Sequence, residues 1–361
     1  MTNADTNIAG RVEPARQRDT QLDIYRALVM IYILCVIHTA YWMSLLGEPW
    51  KSVLLIEMPV IFFISGASLS VTKKQRSFMS HVGNRLKRVW LPYIIYIVLL
   101  ILLAWAAGWQ AHDVWKYNVS WTAIINQLTL VESKSLAVPY NWHLWFVVPY
   151  IVIALLFWVE QKIADRISRW WMIAGALAVW GVGLLLHLSF VNQITGYNVF
   201  FVAGYLFYRQ CSLRTVIGIL IVSLSVIAVY CIWLGDFTPM QTHKFGIASP
   251  DLLFMAYGTM ALCVLSLLLW HVRIPGGRLI NRWNVYGYTI YLWQNVIFWI
   301  VYVVMVKVCV EFFESGSRWR MIVVGILIFI FSTLLSFVTV PVERWLTVLV
   351  SAPFRRRSKS A

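Results

Sequence analysis

The chain has 361 residues, of which 60% are hydrophobic and only 12% are charged, and its mean hydropathy is +0.73. A soluble protein of this size carries about 25% charged residues. The composition therefore excludes a soluble globular protein, and it also excludes a disordered chain, a collagenous fibre and a disulfide-rich scaffold. We predict an all-α polytopic membrane protein.

Uncharged stretches along the chain predict about ten transmembrane helices. A helix needs roughly 20 mostly apolar residues to cross the hydrocarbon core. The stretch 170–208 is too long for one helix, and its polar interruption at 191–196 predicts a turn between two spans. The other predicted spans are 27–47, 52–72, 89–112, 143–159, 215–235, 252–270, 283–306 and 321–342.

These spans form one predicted membrane domain over residues 21–350, between a polar N-terminal tail (1–20) and a basic C-terminal tail (351–361). With the N-terminus inside, the inner segments hold about three times as many Lys and Arg residues as the outer segments, which marks the cytoplasmic side. We therefore predict two cytoplasmic termini and a multi-pass protein of the cell (inner) membrane. The net charge of +15 is explained by this topology and by the anionic lipid bilayer, without nucleic acid as a partner.

The cysteines do not indicate a metal or disulfide framework. All five lie in or beside apolar segments, and none of them forms a CxxC pair. Isolated cysteines in apolar surroundings are typical of small core residues. We predict no metal site.

Four ionisable residues of the predicted spans matter here, because such groups are costly inside a span and are functional candidates by default. His143 and His187 are the less sharp candidates, since a lone histidine such as His187 is usually a satisfied helix contact. His38 is in the first span and Glu57 is near the start of the second. Because adjacent spans are antiparallel, the two residues are expected at similar depth. A carboxylate that holds one imidazole nitrogen leaves the other nitrogen to act as a base. The alternative, equally open from the residues alone, is a buried pair that only joins two helices.

The loop before the third span is strongly basic and includes Arg85 and Arg88. Two arginines spaced three apart point the same way on a helix and suit phosphate groups. This pattern predicts a cytoplasmic anion site, and the alternative is a loop whose charge only sets the topology. His143, at the outer end of the fourth span, is by itself more typical of an interfacial residue.

Four motifs, taken in order, resemble the acyltransferase 3 family of membrane-bound acyltransferases over nearly the whole chain. They are Leu22-Asp23-x-x-Arg26 followed by His38, then Phe62-Phe63-Ile64-Ser65-Gly66, Arg85-x-x-Arg88 before Pro92, and Gly287-Tyr288-Thr289-Ile290-Tyr291-Leu292-Trp293. Weaker similarities are His143-Leu144-Trp145-Phe146, Phe201-Val202-Ala203-Gly204 and Val342-Glu343-Arg344.

The resemblance implies an enzyme that moves an acyl group, usually acetyl, from cytoplasmic acyl-CoA (acetyl-CoA) to a hydroxyl of a cell-envelope glycan, lipid or related acceptor. By matching position, His38 would be the catalytic histidine and Arg26 its companion arginine. Arg85 and Arg88 would be the pair that binds acyl-CoA. Glu57 is not part of the family motifs, and we expect it to be catalytic only because its predicted depth in the membrane matches that of His38.

Three further residues are expected to bind substrate, namely His143, Tyr291 and Gln294. Gln294 follows the Tyr291-Leu292-Trp293 motif, at a position where relatives often have His. A glutamine amide can hydrogen-bond a substrate, but it cannot titrate.

The first motif departs from the family pattern in its spacing. The family usually has ten residues between the arginine and the histidine, whereas eleven separate Arg26 from His38. At about 100° per residue, the usual spacing leaves the side chains about 20° apart around the helix, and this spacing leaves about 120°. Either the helix contains a π-bulge, or Arg26 does not fill the usual role.

Two other functions are compatible with the same residues. A transporter or flippase would use His38 and Glu57 as proton-coupling groups, although the sequence lacks matching Gly- or Pro-broken helices in its two halves. A catalytically degenerate family member would bind acyl-CoA or a partner without chemistry. Turnover of acetyl-CoA by the purified protein in detergent is expected of an enzyme, and it is not expected of a transporter or of a degenerate family member.

Overall fold

The computed structural model describes residues 19–42, 45–47, 50–72, 77–106, 125, 141–234, 250–269, 271–311 and 319–357. Within these ranges the chain is helical and contains no β-strand, so the all-α prediction is confirmed. Residues 1–18 of the predicted N-terminal tail and 358–361 of the predicted C-terminal tail lie outside the described residues.

The described helices are numbered here in chain order. The first seven are α1 (Thr20–Tyr32), α2 (Thr39–Trp42), α3 (Trp50–Val53), α4 (Glu57–Thr72), α5 (Phe78–Arg85), α6 (Leu91–Ala106) and α7 (Val147–Ala164). The next seven are α8 (Arg169–Leu185), α9 (Ser189–Phe207), α10 (Leu213–Leu234), α11 (Leu252–Leu268), α12 (Arg278–Leu292), α13 (Gln294–Val308) and α14 (Arg320–Arg357). Two π-helical turns, Ile33–His38 and Leu86–Trp90, join α1 to α2 and α5 to α6, and a 3-10 helix, Asn141–Phe146, leads into α7.

Several of these helices are long and apolar enough to cross a membrane. In the described part of the chain they are Thr20–Tyr41, Trp50–Thr72, His143–Ala164, Leu213–Trp233 and Arg320–Leu349, and the bent pair of α12 and α13 is a sixth candidate. Two shorter apolar helices are α8 and α11. The chain is thus an all-α polytopic membrane protein, while the count of ten spans and the cytoplasmic termini stay predictions.

The turn predicted inside 170–208 lies elsewhere in the structure. Residues 191–196 belong to α9, and the break between α8 and α9 falls at 186–188. His187 in this break has a left-handed backbone with φ of 53°. The polar residues of α9 instead serve a tertiary contact, because the buried Asn192 amide donates a 3.1 Å hydrogen bond to the carbonyl oxygen of Pro250. The turn prediction at 191–196 was therefore wrong.

Two other predicted spans differ in shape from the observed helices. The span 283–306 is not one straight helix, because α12 and α13 meet at Trp293 with a bend of 77°. The bend contains neither Gly nor Pro, the usual sequence signals of a kink. The last helix runs past the predicted span 321–342 to Arg357, within the segment predicted as a tail.

The second span and α9 cross in direct backbone contact, and two motif glycines permit it. A Cβ atom at Gly66 would overlap the carbonyl oxygen of Phe201, and a Cβ atom at Gly204 would overlap that of Phe63. Both glycines belong to motifs that carry the family resemblance. Their role in this fold is close helix packing, and it brings α4, which begins with Glu57, against α9.

The largest buried cluster surrounds the first helix, which packs against α4 and α12. Trp283 and Tyr291 of α12 and Tyr93 and Tyr96 of α6 are at most 1% exposed there. Large apolar side chains on α10 and α14, such as Trp233, are instead exposed. This arrangement suits helices whose outer faces meet lipid tails and whose inner faces pack on one another.

Replacing Gly204 by Ala is expected to destabilise the protein, because the new methyl group would collide with backbone atoms of Phe63. Overpacking of this kind costs about 1–3 kcal/mol. Thermal unfolding in detergent measures the effect. Gly218→Ala is the matched control, since a Cβ atom there meets nothing within 4 Å. Equal melting temperatures for the two variants would contradict the packing role of Gly204.

Candidate active site

The first helix changes from α-helical to π-helical geometry over Ile33–His38, which is the first of the two alternatives that the Arg26–His38 spacing left open. A π-helical turn closes with one residue more than an α-helical turn. It therefore absorbs the extra residue between Arg26 and His38 and returns their side chains to within about 20° around the helix axis. The hydroxyl of Thr39 donates a 3.2 Å hydrogen bond to the carbonyl oxygen of Leu34, which gives a bulge carbonyl a side-chain donor.

His38 is completely buried, and its ring is held by Gln294. The Nδ1 atom lies 2.8 Å from Oε1 of Gln294, which is also completely buried. An amide oxygen accepts hydrogen bonds and does not donate them, so the neutral ring carries its proton on Nδ1. Nε2 then keeps its lone pair, which is the form that a general base needs.

Gln294 reaches His38 because it stands directly after the bend at Trp293, as the first residue of α13. The sequence predicted a substrate-binding role for Gln294. Its contact to the imidazole adds a positioning role that the sequence did not predict. Binding of substrate by Gln294 stays a prediction.

Tyr291 lies between the two buried histidines. Its ring centroid is 5.8 Å from that of His38 and 5.2 Å from that of His143. Its hydroxyl donates a 2.6 Å hydrogen bond to the backbone carbonyl of His143, and Phe146 packs edge-on against its ring at 5.0 Å. His143 is completely buried, so it is part of this cluster and not a residue of the protein surface.

Glu57 lies near the same cluster and is 3% exposed. Oε2 of Glu57 makes no hydrogen bond within the described part of the chain. Since Nδ1 of His38 is held by Gln294, Glu57 is not the partner of that nitrogen, and a hydrogen bond between Glu57 and His38 stays a prediction.

Arg26 joins three helices far from His38. Its Nη1 atom donates hydrogen bonds to Asp23 (3.1 Å) and Asn284 (3.0 Å), and its Nη2 atom donates one to Ser68 (2.5 Å). Twelve residues at about 1.5 Å each put it roughly 18 Å from His38 along the helix. Arg26 and His38 thus share a helix face, but the structure does not bring them into contact.

A cavity of about 920 Å³ extends from the arginines to Tyr291. Arg26, Arg85 and Arg88 all line it. Along α1 its lining continues with Met30 and Ile33 towards His38, and becomes apolar and aromatic. His38 is not among the described residues that line the cavity, whereas Tyr291, whose ring packs against that of His38, is one of them.

One helix face supplies the basic part of this lining. His81, Asn84, Arg85 and Arg88 follow the spacing of a single face and all line the cavity. His81 is oriented by a 2.6 Å hydrogen bond from its Nε2 to the carbonyl oxygen of Ala154. The sequence identified the two arginines and missed His81 and Asn84, which the same spacing rule would have found.

An ion pair orients the start of α1 beside the cavity. Asp19 and Arg209 are 3.2 Å apart, and Asp19 also accepts hydrogen bonds from the backbone N–H groups of Gln21 and Leu22. Tyr208 donates a 3.0 Å hydrogen bond to the same carboxylate. The carboxylate of Asp19 is thus held by the backbone, by Tyr208 and by Arg209.

The cysteines and the acidic and histidine side chains do not assemble into a metal site in the described residues. All five cysteines are free, and Cys35, Cys231 and Cys263 are buried. No group of three or more His, Cys, Asp and Glu side chains among the described residues could hold a metal ion.

The protein-family model described as an acyltransferase domain, of the acyltransferase 3 type, matches residues 19–340, nearly the whole chain. The chain belongs to the acyltransferase 3 family. No curated protein and no solved structure matches it significantly. The family resemblance inferred from the motifs is therefore confirmed, and the chain is a membrane acyltransferase by family.

Replacing Gln294 by Leu is expected to lower acyl-transfer turnover by about fivefold, because the ring of His38 loses the acceptor that holds its Nδ1 proton, a bond worth about 1 kcal/mol. Gln294→Glu is the matched variant, since its carboxylate still offers an acceptor oxygen. Steady-state kinetics of both purified variants measure the difference. Equal turnover in Gln294→Leu and the unmutated protein would exclude this positioning role.

Proposed function

We propose that the protein transfers an acyl group, acetyl in the first instance, from cytoplasmic acyl-CoA to a hydroxyl of a cell-envelope glycan, lipid or related acceptor. One observation carries the proposal. A single cavity is lined by three arginines and also by Tyr291, whose ring packs against His38. The cavity thus reaches from basic side chains that suit an anionic carrier to the aromatic ring that packs against the imidazole.

The lining of the cavity supports an acyl-CoA donor. Coenzyme A carries phosphate groups, and guanidinium groups bind phosphate through two parallel hydrogen bonds. Arg85 and Arg88 are held at the end of α5 and in the following π-helical turn, and both line the cavity together with Arg26. The apolar part of the lining near Met30 and Ile33 suits the uncharged pantetheine arm and the acyl group.

The environment of His38 supports its role as the base. A hydroxyl is a poor nucleophile until its proton is removed. In the proposed reaction Nε2 of His38 takes that proton, the oxygen attacks the thioester carbonyl, and the carbon–sulfur bond breaks. The proton then passes to the departing CoA thiolate, and the imidazole returns to its neutral form. A covalent acyl-histidine would use the same nitrogen.

The charge pattern supports the sidedness of the reaction. Arg85 and Arg88 belong to the segment that the positive-inside rule assigns to the cytoplasm. Acyl-CoA is a cytoplasmic metabolite, so this side suits the donor. Arg26 lines the cavity with these two arginines, and His38 comes roughly 18 Å beyond Arg26 along the first helix, towards the proposed side of the envelope acceptors. The proposed location is the inner (cytoplasmic) membrane.

Replacing His38 by Ala should abolish acyl transfer while leaving the protein folded. The assay follows labelled acetyl-CoA with purified protein in detergent, with envelope glycans and lipids as acceptors. His187→Ala is the matched control, because that histidine is exposed in the turn between α8 and α9. A turnover in His38→Ala above about a tenth of the unmutated value would refute the assignment. The absence of turnover in the unmutated protein would refute the proposed function itself.

Replacing Arg85 and Arg88 by Ala should raise the acetyl-CoA concentration needed for half-maximal rate. Each lost charge-assisted contact costs about 1.5–3 kcal/mol, which corresponds to roughly a 10-fold to 100-fold weaker interaction. Direct binding of acetyl-CoA, measured by calorimetry, tests this. Arg166→Ala is the control, because Arg166 is exposed and does not line the cavity. Unchanged affinity in the double variant would leave the two arginines with a topological role only.

A further inference from the structure

The π-helical turn Ile33–His38 needs space that an ordinary α-helix does not, and the last helix provides it. Helix α14 packs directly against this turn. A Cβ atom built on Gly325 would lie 2.7 Å from the carbonyl oxygen of Cys35. Cβ atoms in proteins essentially never approach an atom so closely.

The collision would fall on the π-helical turn alone. The next two atoms near the built Cβ are the carbonyl carbon of Cys35 at 3.7 Å and its Cβ atom at 3.9 Å. All three atoms thus belong to one residue of the turn. Two of them are backbone atoms, which cannot move aside by a change of rotamer as a side chain can.

The turn cannot move without carrying His38 with it. Cys35 precedes His38 by three residues within the same turn, and the ring of His38 is fixed by the 2.8 Å hydrogen bond to Gln294. Hydrogen bonds weaken steeply when the donor and acceptor move apart by several tenths of an ångström or lose their alignment. A displacement of Cys35 is therefore expected to disturb the imidazole of His38 more than the arginines at the other end of the cavity.

We propose that Gly325 is a positioning residue for His38, whose missing side chain makes room for the π-helical turn that orients the imidazole. The extra residue in the π-helical turn and the glycine in α14 are then a matched pair. The inference rests on the proposed function only where its test measures the rate of acetyl transfer. The orientation of the ring can be measured without any reaction.

The principal variant is Gly325→Ala, measured with the full chain in detergent. Its kcat for acetyl transfer should fall about tenfold or more, while its KM for acetyl-CoA stays within about twofold, because the arginine end of the cavity is untouched. The ring signal of His38 in histidine-labelled protein, identified by its loss in His38→Ala, should shift in the absence of substrate. Gly181→Ala is the control, since a Cβ atom there meets nothing within 4 Å.

A second variant removes the need for the glycine. Deleting Val36, which is only partly buried, leaves ten residues between Arg26 and the histidine, so that a regular α-helix keeps their alignment within about 20°. In this shortened background, Gly325→Ala should change kcat and the ring signal by less than about twofold. A glycine with a merely structural role would give the same effect of Gly325→Ala with and without the Val36 deletion.

The outcomes decide the proposal in either direction. An unshifted ring signal in Gly325→Ala, or the same loss of kcat in both backgrounds, would overturn it. If Gly325→Ala alone is found unfolded, a folded protein that carries both Gly325→Ala and the Val36 deletion supports the proposal. If the Val36 deletion alone folds but the combined variant does not, the proposal is overturned. If the unmutated protein transfers no acetyl group, the proposed function fails, but the shift of the ring signal still tests the positioning role.

Discussion

The geometry of the site depends on one helix having to accommodate one extra residue. An α-helix that gains a residue rotates everything after it by about 100° unless the extra residue is absorbed locally. The π-helical turn Ile33–His38 absorbs it. Because it does, His38 meets Gln294, and the donor Thr39 meets the carbonyl oxygen of Leu34. A regular helix with this sequence would turn His38 away from Gln294.

The rest of the fold holds the partners of that turn in place. The backbone crossing at Gly66 and Gly204 fixes α4 against α9, and α1 packs against α4 and α12. The bend between α12 and α13 then delivers Gln294 to the imidazole. Together these elements leave a cavity with a basic lining and a far end at Tyr291. A donor that is anionic at one end and reactive at the other matches this polarity.

The sequence identified most of the chemistry-bearing residues but not their partners. Ionisable groups in apolar spans are so costly that His38 and Glu57 stand out by themselves. The partner of Nδ1 could not be found in this way, because Gln294 is uncharged and more than 250 positions away in the chain. The two residues that hold Arg26 from other helices, Ser68 and Asn284, escaped for the same reason. Contacts between helices leave no periodic pattern in either helix.

The sequence by itself determined the class of the protein and predicted the depth of its polar groups. Hydropathy measures position along one axis, from one side of the bilayer to the other, so it identified an all-α membrane chain with His38 far from the basic segment around Arg85. It could not determine azimuth, bends or lateral neighbours. The turn at 186–188, the bend at Trp293 and the pairing of His38 with Gln294 were decided by the tertiary structure. Each depends on which helices pack side by side, and close packing between helices is a property of the whole assembly and not of any one segment.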